Sequence, residues 1–268
     1  MITRWSEGPA DENMAEEILV EQADRVGRHP WWRARAALTL ALLGRLGVRP
    51  PARVLDAGCG WGTTLERLER AGYEAVGLDI SRRTLERLDR PRRALVEADL
   101  TKPLPEDHEL SDAVLALDVI EHLDDDRTAI ERLGRLATPG GVVVISVPAL
   151  PELFGEFDAI QGHRRRYLPE TLRAAFEGTG LELDRVFWWG GWMVPLVRRQ
   201  RGRSRPSPGE SASEAYRRYL RLPPWPAPLA LRLAFAIEQG RALNGRLRTG
   251  TSLFAVARRP AEGRVDPR

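Results

Sequence analysis

The sequence predicts an α/β fold: a doubly wound, mostly parallel sheet of seven strands, with a helical insertion before the last one. Three observations predict it. Short unbroken apolar runs recur between residues 52 and 189, as strands buried on both faces require. A stretch of helical periodicity separates most of these runs from the next. Glycine, proline or an N-capping serine marks the junctions.

The elements follow in chain order. Residues 1–30 are polar, with a short amphipathic helix expected over 12–25. Trp31-Trp32-Arg33-Ala34-Arg35 leads into an apolar helix over 36–46, which Gly47 and Pro50-Pro51 end. Residues 52–58 form the first strand and 63–71 a helix stopped by Gly72. The second strand covers 74–80, and Ser81 is a natural N-cap for the charged helix after it. Residues 94–98 and 111–117 form the third and fourth strands. A helix over 125–137 is terminated by Pro139-Gly140-Gly141, and the fifth strand covers 142–147. Residues 169–179 form a helix with Glu170 near its positive end. The sixth and seventh strands cover 183–189 and 252–257. The long interruption between them opens on 198–213, almost without apolar residues and expected as a mobile surface loop. Helices over 215–221 and 228–247 follow. The expected organisation is a helical cap over 1–50, an α/β domain over 51–195 and 251–259, and an insertion over 196–250 that serves as lid or interface.

Composition narrows the function classes. The chain has 268 residues, of which 43% are hydrophobic and 29% charged, ordinary values for a folded protein. The uncharged stretches 139–151 and 186–197 are too short and too rich in Gly and Pro to span a bilayer. The N-terminus is acidic and lacks an apolar signal core, so a cytoplasmic protein is expected. The lone Cys59 excludes an internal disulfide and a cysteine-based metal cluster. A net charge of +3, carried by arginines spread along the chain, reads as a solvated surface rather than a nucleic-acid footprint.

The most specific feature is Val54-Leu55-Asp56-Ala57-Gly58-Cys59-Gly60-Trp61-Gly62, a strand running through alternating glycines into a helix. Glycine lets the backbone approach a ligand closely, and a helix start offers unpaired N–H groups. Dinucleotide sites read G-x-G-x-x-G, whereas the spacing here is G-x-G-x-G and Asp56 stands at the strand's end. An acid there repels a diphosphate and suits an amino group. Asp79 closes the second strand, where a carboxylate can accept hydrogen bonds from both ribose hydroxyls. Asp99 closes the third, where it can meet the exocyclic amine of adenine. An adenosine with a cationic amino-acid tail fits all three acids; a nicotinamide dinucleotide fits one.

With these residues in place, the sequence resembles the class I S-adenosylmethionine-dependent methyltransferases. The match runs in order through V-L-D-A-G-C-G-W-G, G-L-D-I-S, E-A-D-L, D-V-I-E-H-L and L-A-T-P-G-G-V-V-V-I-S-V-P, over about residues 30–190. The resemblance implies a Rossmann-like sheet with its last strand antiparallel and S-adenosyl-L-methionine across the strands' C-terminal edge. It implies Asp56, Gly58, Cys59 and Gly60 around the methionine moiety, Asp79 and Ile80 at the ribose, and Asp99 and Leu100 at the adenine. Asp118 would begin the segment beside the sulfonium. The 31–35 stretch resembles the N-terminal helix that closes over the cofactor, with Arg35 expected at the cofactor carboxylate.

Methyl transfer from a sulfonium is a direct displacement, so the protein chiefly aligns the reactants and excludes water. Asp118, Glu121 and His122 stand at i, i+3 and i+4, one face of a helical turn. Together with His163 they could ligate a divalent ion. Relatives that bind a metal through E-x-x-E-H and a later histidine have Glu where this chain has Asp118, so the metal-free reading is preferred. In that reading His163 is the expected general base, imidazole being suited to take a proton at neutral pH. Tyr167 would hydrogen-bond the acceptor or simply pack. Phe154, Phe157, Trp188 and Trp192 are expected to wall an apolar acceptor pocket.

The expected function is methylation of a small aromatic or polycyclic metabolite, on oxygen. Alternatives are N- or C-methylation of a natural product, and a glycan or lipid-linked acceptor at a membrane surface. The membrane version comes from Leu229, Leu233, Ile237 and Leu247, which recur at helical spacing among arginines, a stripe that suits a lid or a homodimer interface equally. Nucleic-acid binding through 198–205 lacks aromatic residues interleaved with the charge. A cofactor-binding protein without turnover is the last alternative.

Overall fold

The computed structural model describes residues 1–6, 15–201, 209–222 and 226–261. Their elements are β1 (Ile2–Arg4), α1 (Glu16–Glu21), α2 (Ala23–Arg28), α3 (Pro30–Arg45), β2 (Arg53–Ala57), α4 (Thr63–Arg70), β3 (Glu74–Asp79), α5 (Arg82–Leu88), β4 (Ala94–Glu97) and β5 (Ser111–Leu117). There follow α6 (Asp126–Arg135), β6 (Ala137–Pro148), α7 (Glu156–Ile160), α8 (Pro169–Ala175), β7 (Glu182–Trp189), α9 (Val194–Arg201), α10 (Ala212–Tyr219), α11 (Ala227–Leu243) and β8 (Ser252–Arg258).

The sheet has eight strands, not seven, in the order β1-β4-β3-β2-β5-β6-β8-β7. Only β8 runs antiparallel to its neighbours, pairing with β6 and β7. The additional strand is β1, a three-residue edge strand parallel to β4 within the segment expected to be only helical. Three residues are too few to show alternation, which is why the polar N-terminus concealed it.

Each central strand buries side chains on both faces. Val54 joins Leu115 and Val144 beneath α3, with Leu38, Leu42 and Leu43, and α11 contributes Phe235. Leu55 joins Val76, Val114 and Ile145 beneath α6, with Ile130 and Leu133. The unbroken apolar runs are the direct consequence. Strand β2 pairs β3 on one side and β5 on the other, which brings the tips bearing Asp56 and Asp79 side by side.

Several expected boundaries move. The 12–25 helix is two short helices that meet at Gln22, and residues 12–14 lie outside the described residues. Helix α3 already begins at Pro30, whose fixed φ suits a first helical position, and Trp31 N donates to the His29 ring. The tryptophan pair is therefore helical rather than a lead-in. Strand β6 starts at Ala137 and runs through Pro139-Gly140-Gly141. Gly140 N donates to Arg259 O and Arg259 N to Gly141 O, so tertiary pairing overrides the breaker signal there. Of the expected mobile loop, 198–201 completes α9 and 202–208 lies outside the described residues. No helix among the described residues is long and apolar enough to cross a membrane.

Candidate active site

A cavity of about 680 Å³ opens at the C-terminal ends of the strands, lined by the β2 turn, the tips of β3 and β4, and helix α3. The β2 turn is built by glycine. Gly58, Gly60 and Gly62 have φ of 71°, 48° and 74°, conformations that side-chain residues adopt only with strain. A Cβ on Gly58 would also run into the Val119 side chain. Gly58 N and Cys59 N donate to Leu78 O, which ties the turn to β3.

The three acids take the expected positions at the strand tips. Asp79 accepts from Gly60 N at 2.8 Å through Oδ2 and from Ser81 N at 2.9 Å through Oδ1. Each oxygen keeps a further lone pair for a hydroxyl donor. Burial raises its carboxyl against these hydrogen bonds. Asp56 is buried, which pushes its carboxyl up to about 7, although the Arg35 charge pulls the other way. Asp99 accepts from Thr101 N and Oγ1 through Oδ1; its Oδ2 lies 3.4 Å from Lys102 Nζ and has no hydrogen-bond partner. Cys59, Ile80 and Leu100 also line the cavity.

Arg35 lines the same cavity, with its guanidinium 4.9 Å above the Trp31 ring. Its Nη1 is paired with Asp118, whose other oxygen accepts from Ser146 Oγ. Asp118 has a φ of 59° and precedes the single 3-10 turn Ile120–His122. The expected helical face shared by Asp118, Glu121 and His122 is therefore not formed: Asp118 turns to Arg35 and leaves the ligand set.

Glu121, His122 and His163 do come together, with one ligand atom from each lying within 4.8 Å of the others. The Glu121 carboxyl is wholly buried with both oxygens unpartnered, and burial, then Asp118, raises it well above its ordinary value. His122 is pushed down to about 3 by burial and by His163, so it is a neutral imidazole with Nδ1 unpartnered. These donors fit a divalent cation by chemistry.

His163 rests on a partner that the sequence did not reveal. Its Nδ1 lies 3.2 Å from Oδ1 of Asp158 in α7, and its Nε2 is 3.8 Å from Glu121. Asp158 is buried and also receives Arg166 at 2.7 Å and Arg201 at 2.5 Å. Burial alone would raise its carboxyl, but the His163 hydrogen bond and the two guanidinium groups outweigh this and hold it below the usual range. Asp158 was missed because residues 149–168 read as a plain connection, and no spacing in the sequence links it to His163.

The expected acceptor walls are only partly assembled. Phe157 lines the cavity and stacks on Tyr216 at 5.2 Å. Phe154 is exposed, while Trp188 packs against the core on the α6 face. Trp192 lies against Phe235 of α11. The Tyr167 hydroxyl donates to Asp126 Oδ2, and burial and that carboxylate raise it far above the ordinary phenol. None of these four reaches the cavity lining. The aromatic walls instead are Trp31, Trp32, Trp61 and Tyr219 with Phe157. Helix α10 folds over them, held to α1 by the hydrogen bond of 2.5 Å that Ser213 Oγ donates to Glu21 Oε2.

Comparison with known proteins agrees with this architecture. The sequence model of the family described as "Methyltransferase domain" matches residues 31–186. A malonyl-[acyl-carrier protein] O-methyltransferase of Pseudescherichia vulneris is 35% identical over 163 residues, 58% of this chain and 61% of that protein. A ubiquinone biosynthesis O-methyltransferase of Alkalilimnicola ehrlichii is 33% identical over 38% of this chain and 43% of its own length. The chain thus spans between 43% and 61% of the lengths of these two relatives. Among solved structures, the [4+2]-cyclase SpnF superposes with a TM-score of 0.60 at 19% identity, covering 97% of this chain and 99% of its own. A chain of the Haloferax volcanii complex containing the Trm112 methyltransferase activator does so at 0.58 and 18%, covering 95% and 100%. The chain belongs to the methyltransferase domain family, within the class I S-adenosylmethionine-dependent methyltransferases.

Proposed function

We propose that the chain is an enzyme that transfers the methyl group of S-adenosylmethionine to oxygen of a small-molecule acceptor. One observation carries this reading: the Asp79 carboxylate is fixed by Gly60 N and Ser81 N at the same edge as buried Asp56 and Asp99. This row of acids around a glycine turn complements a ribose, an adenine amine and a cationic amino-acid tail, and disfavours a diphosphate. The sulfonium supplies the activated methyl group. The acceptor oxygen attacks the methyl carbon as the carbon–sulfur bond breaks, and the bond's electron pair stays on sulfur.

The residues on the far side of the cavity then position the acceptor and take its proton. Asp158 accepts from Nδ1–H of His163 and so selects the tautomer in which Nε2 is free to accept. The hydroxyl proton passes to Nε2, and the Asp158 carboxylate stabilises the imidazolium. Trp31, Trp32, Trp61 and Phe157 exclude water and favour a planar, apolar acceptor. If a divalent ion is bound, Glu121, His122 and His163 would hold it, and it would lower the acceptor's hydroxyl pKa in place of the base. The relatives named as O-methyltransferases support oxygen as the accepting atom. Incubation with methyl-labelled S-adenosylmethionine and panels of phenols, carboxylic acids and amines tests the reading. Label transfer to an oxygen acceptor is expected, and transfer only to amines overturns the choice of atom.

A further inference from the structure

The long helix of the insertion carries an apolar stripe on its outer face. Towards the sheet, α11 buries Phe235, Ala242 and Leu243, and Phe235 packs on Trp189 and Trp192. Its outer face carries Leu229, Leu233 and Ile237, which are 43%, 56% and 73% exposed. Positions i, i+4 and i+8 form a single stripe. An exposed apolar stripe on a helix whose opposite face is already buried marks a surface that another surface covers.

The charges around the stripe say what covers it. Between Ala227 and Arg248 the only acid is Glu238. It is buried and turned inward, accepting from Gly190 N at 3.0 Å and Gly191 N at 2.7 Å. Arg232, Arg241, Arg246 and Arg248 are exposed, and none has an acidic partner among the described residues. Elsewhere arginines are commonly paired, as Arg82 is with Glu86 and Glu97, and Arg218 with Glu156 and Glu210. A second copy seated on this helix would set Arg232 and Arg241 of one chain against the same arginines of the other. An anionic, partly apolar surface is complementary instead.

The helix is also placed to reach such a surface. Glu238 lies level with Gly190, past the end of β7, while Leu243 O accepts from the side chain of Arg185, midway along the strand. Helix α11 therefore runs antiparallel to β7, with Phe235 against Trp189 at the strand's last residue, and the turns before it, residues 227–234 and about 10 Å of helix, lead on past the strand tips. Helix α9, which starts at the same tips, adds the exposed Leu196. We propose that the outer face of α11 docks on a bilayer containing anionic lipids, with Leu229, Leu233 and Ile237 in the headgroup–acyl boundary and the arginines on the lipid phosphates. The edge that carries the cavity then faces the headgroups.

Co-sedimentation of the full chain with vesicles tests this, using phosphatidylcholine alone and phosphatidylcholine mixed with phosphatidylglycerol at low salt. The protein should pellet with the mixed vesicles and stay in solution with the neutral ones. The double substitution Leu233→Glu and Ile237→Glu should cut the bound fraction about tenfold or more, and Arg232→Glu with Arg241→Glu should act alike. Unchanged thermal melts of these exposed-site variants show that they still fold. A protein that stays in solution with both vesicle types overturns the proposal, as does binding that neither pair of substitutions weakens. A dimer in sedimentation velocity that Leu233→Glu and Ile237→Glu dissociates would assign the face to a second copy instead. None of these readouts depends on methyl transfer, so their failure leaves the proposed reaction standing.

Discussion

In the proposed reading, Asp56 couples cofactor binding to pH. Burial raises its folded-state pKa to about 7 from an ordinary value of 3.8. Between those values the folded chain holds a proton that the unfolded chain has lost, so this residue's contribution to stability falls as pH rises through that window. A cationic amino group beside Asp56 favours the ionised form, so cofactor binding releases the proton. Affinity for S-adenosylmethionine should therefore rise about tenfold between pH 6 and pH 8. Calorimetry in buffers of different ionisation enthalpy would register the released proton, and the Asp56→Asn variant should show a flat profile. Asp79 acts differently, as a hydrogen-bond acceptor. Asp79→Ala removes two charge-assisted acceptor positions and should weaken cofactor binding about a hundredfold; an unchanged titration would contradict its place at the ribose. Across the cavity, His163→Ala should slow turnover by about two orders of magnitude or more with cofactor affinity intact. Asp158→Asn should slow it similarly, because the amide no longer selects the reactive tautomer. Equal kcat for wild type and His163→Ala would assign the histidine to loop order alone.

At the scale of elements, legibility followed burial. Strands β2, β3 and β5 were readable because each is covered on both faces, so local pattern and tertiary environment agree. The start of β6 was not, since Pro139-Gly140-Gly141 is a breaker locally and becomes strand only through pairing with the chain around Arg259. The placement of the half proposed for the cofactor was legible because a glycine turn and strand-tip acids are local signals. The acceptor half was not. Trp188 and Trp189 alternate to opposite faces of β7, and neither lines the cavity. The aromatic residues that do line it lie on α3, the glycine turn, α7 and α10, distant in sequence and joined only by folding. Glu238 illustrates the same point: it looks like a surface acid, yet it closes the backbone N–H groups of residues 190–192, at the 3-10 turn that precedes α9. Glu238→Gln keeps one acceptor and sets an amide against the other N–H, which should cost about 2 kcal/mol of stability. Thermal denaturation would show this as a lower midpoint, and an unshifted midpoint would mean that α9 needs no such cap.

Taken as a molecule, the chain places two unlike surfaces at one edge of a single sheet. Acids at the tips of β2, β3 and β4 line the half proposed for the cofactor, while the Asp158–His163 pair and the aromatic rings lie at the half proposed for the acceptor. Helices α1 and α10 close over both, with Trp61 and Phe157 against Tyr216. The fold alone does not name the reaction, since the cyclase SpnF shares it; the proposed cofactor reading rests on the acids at the strand tips. Calorimetric titration of the purified chain at pH 8 with S-adenosylmethionine, S-adenosylhomocysteine and NAD tests that claim most directly. Saturable one-site binding of the first two and none of NAD is the predicted result. Binding of NAD with no response to the sulfonium nucleoside would contradict it.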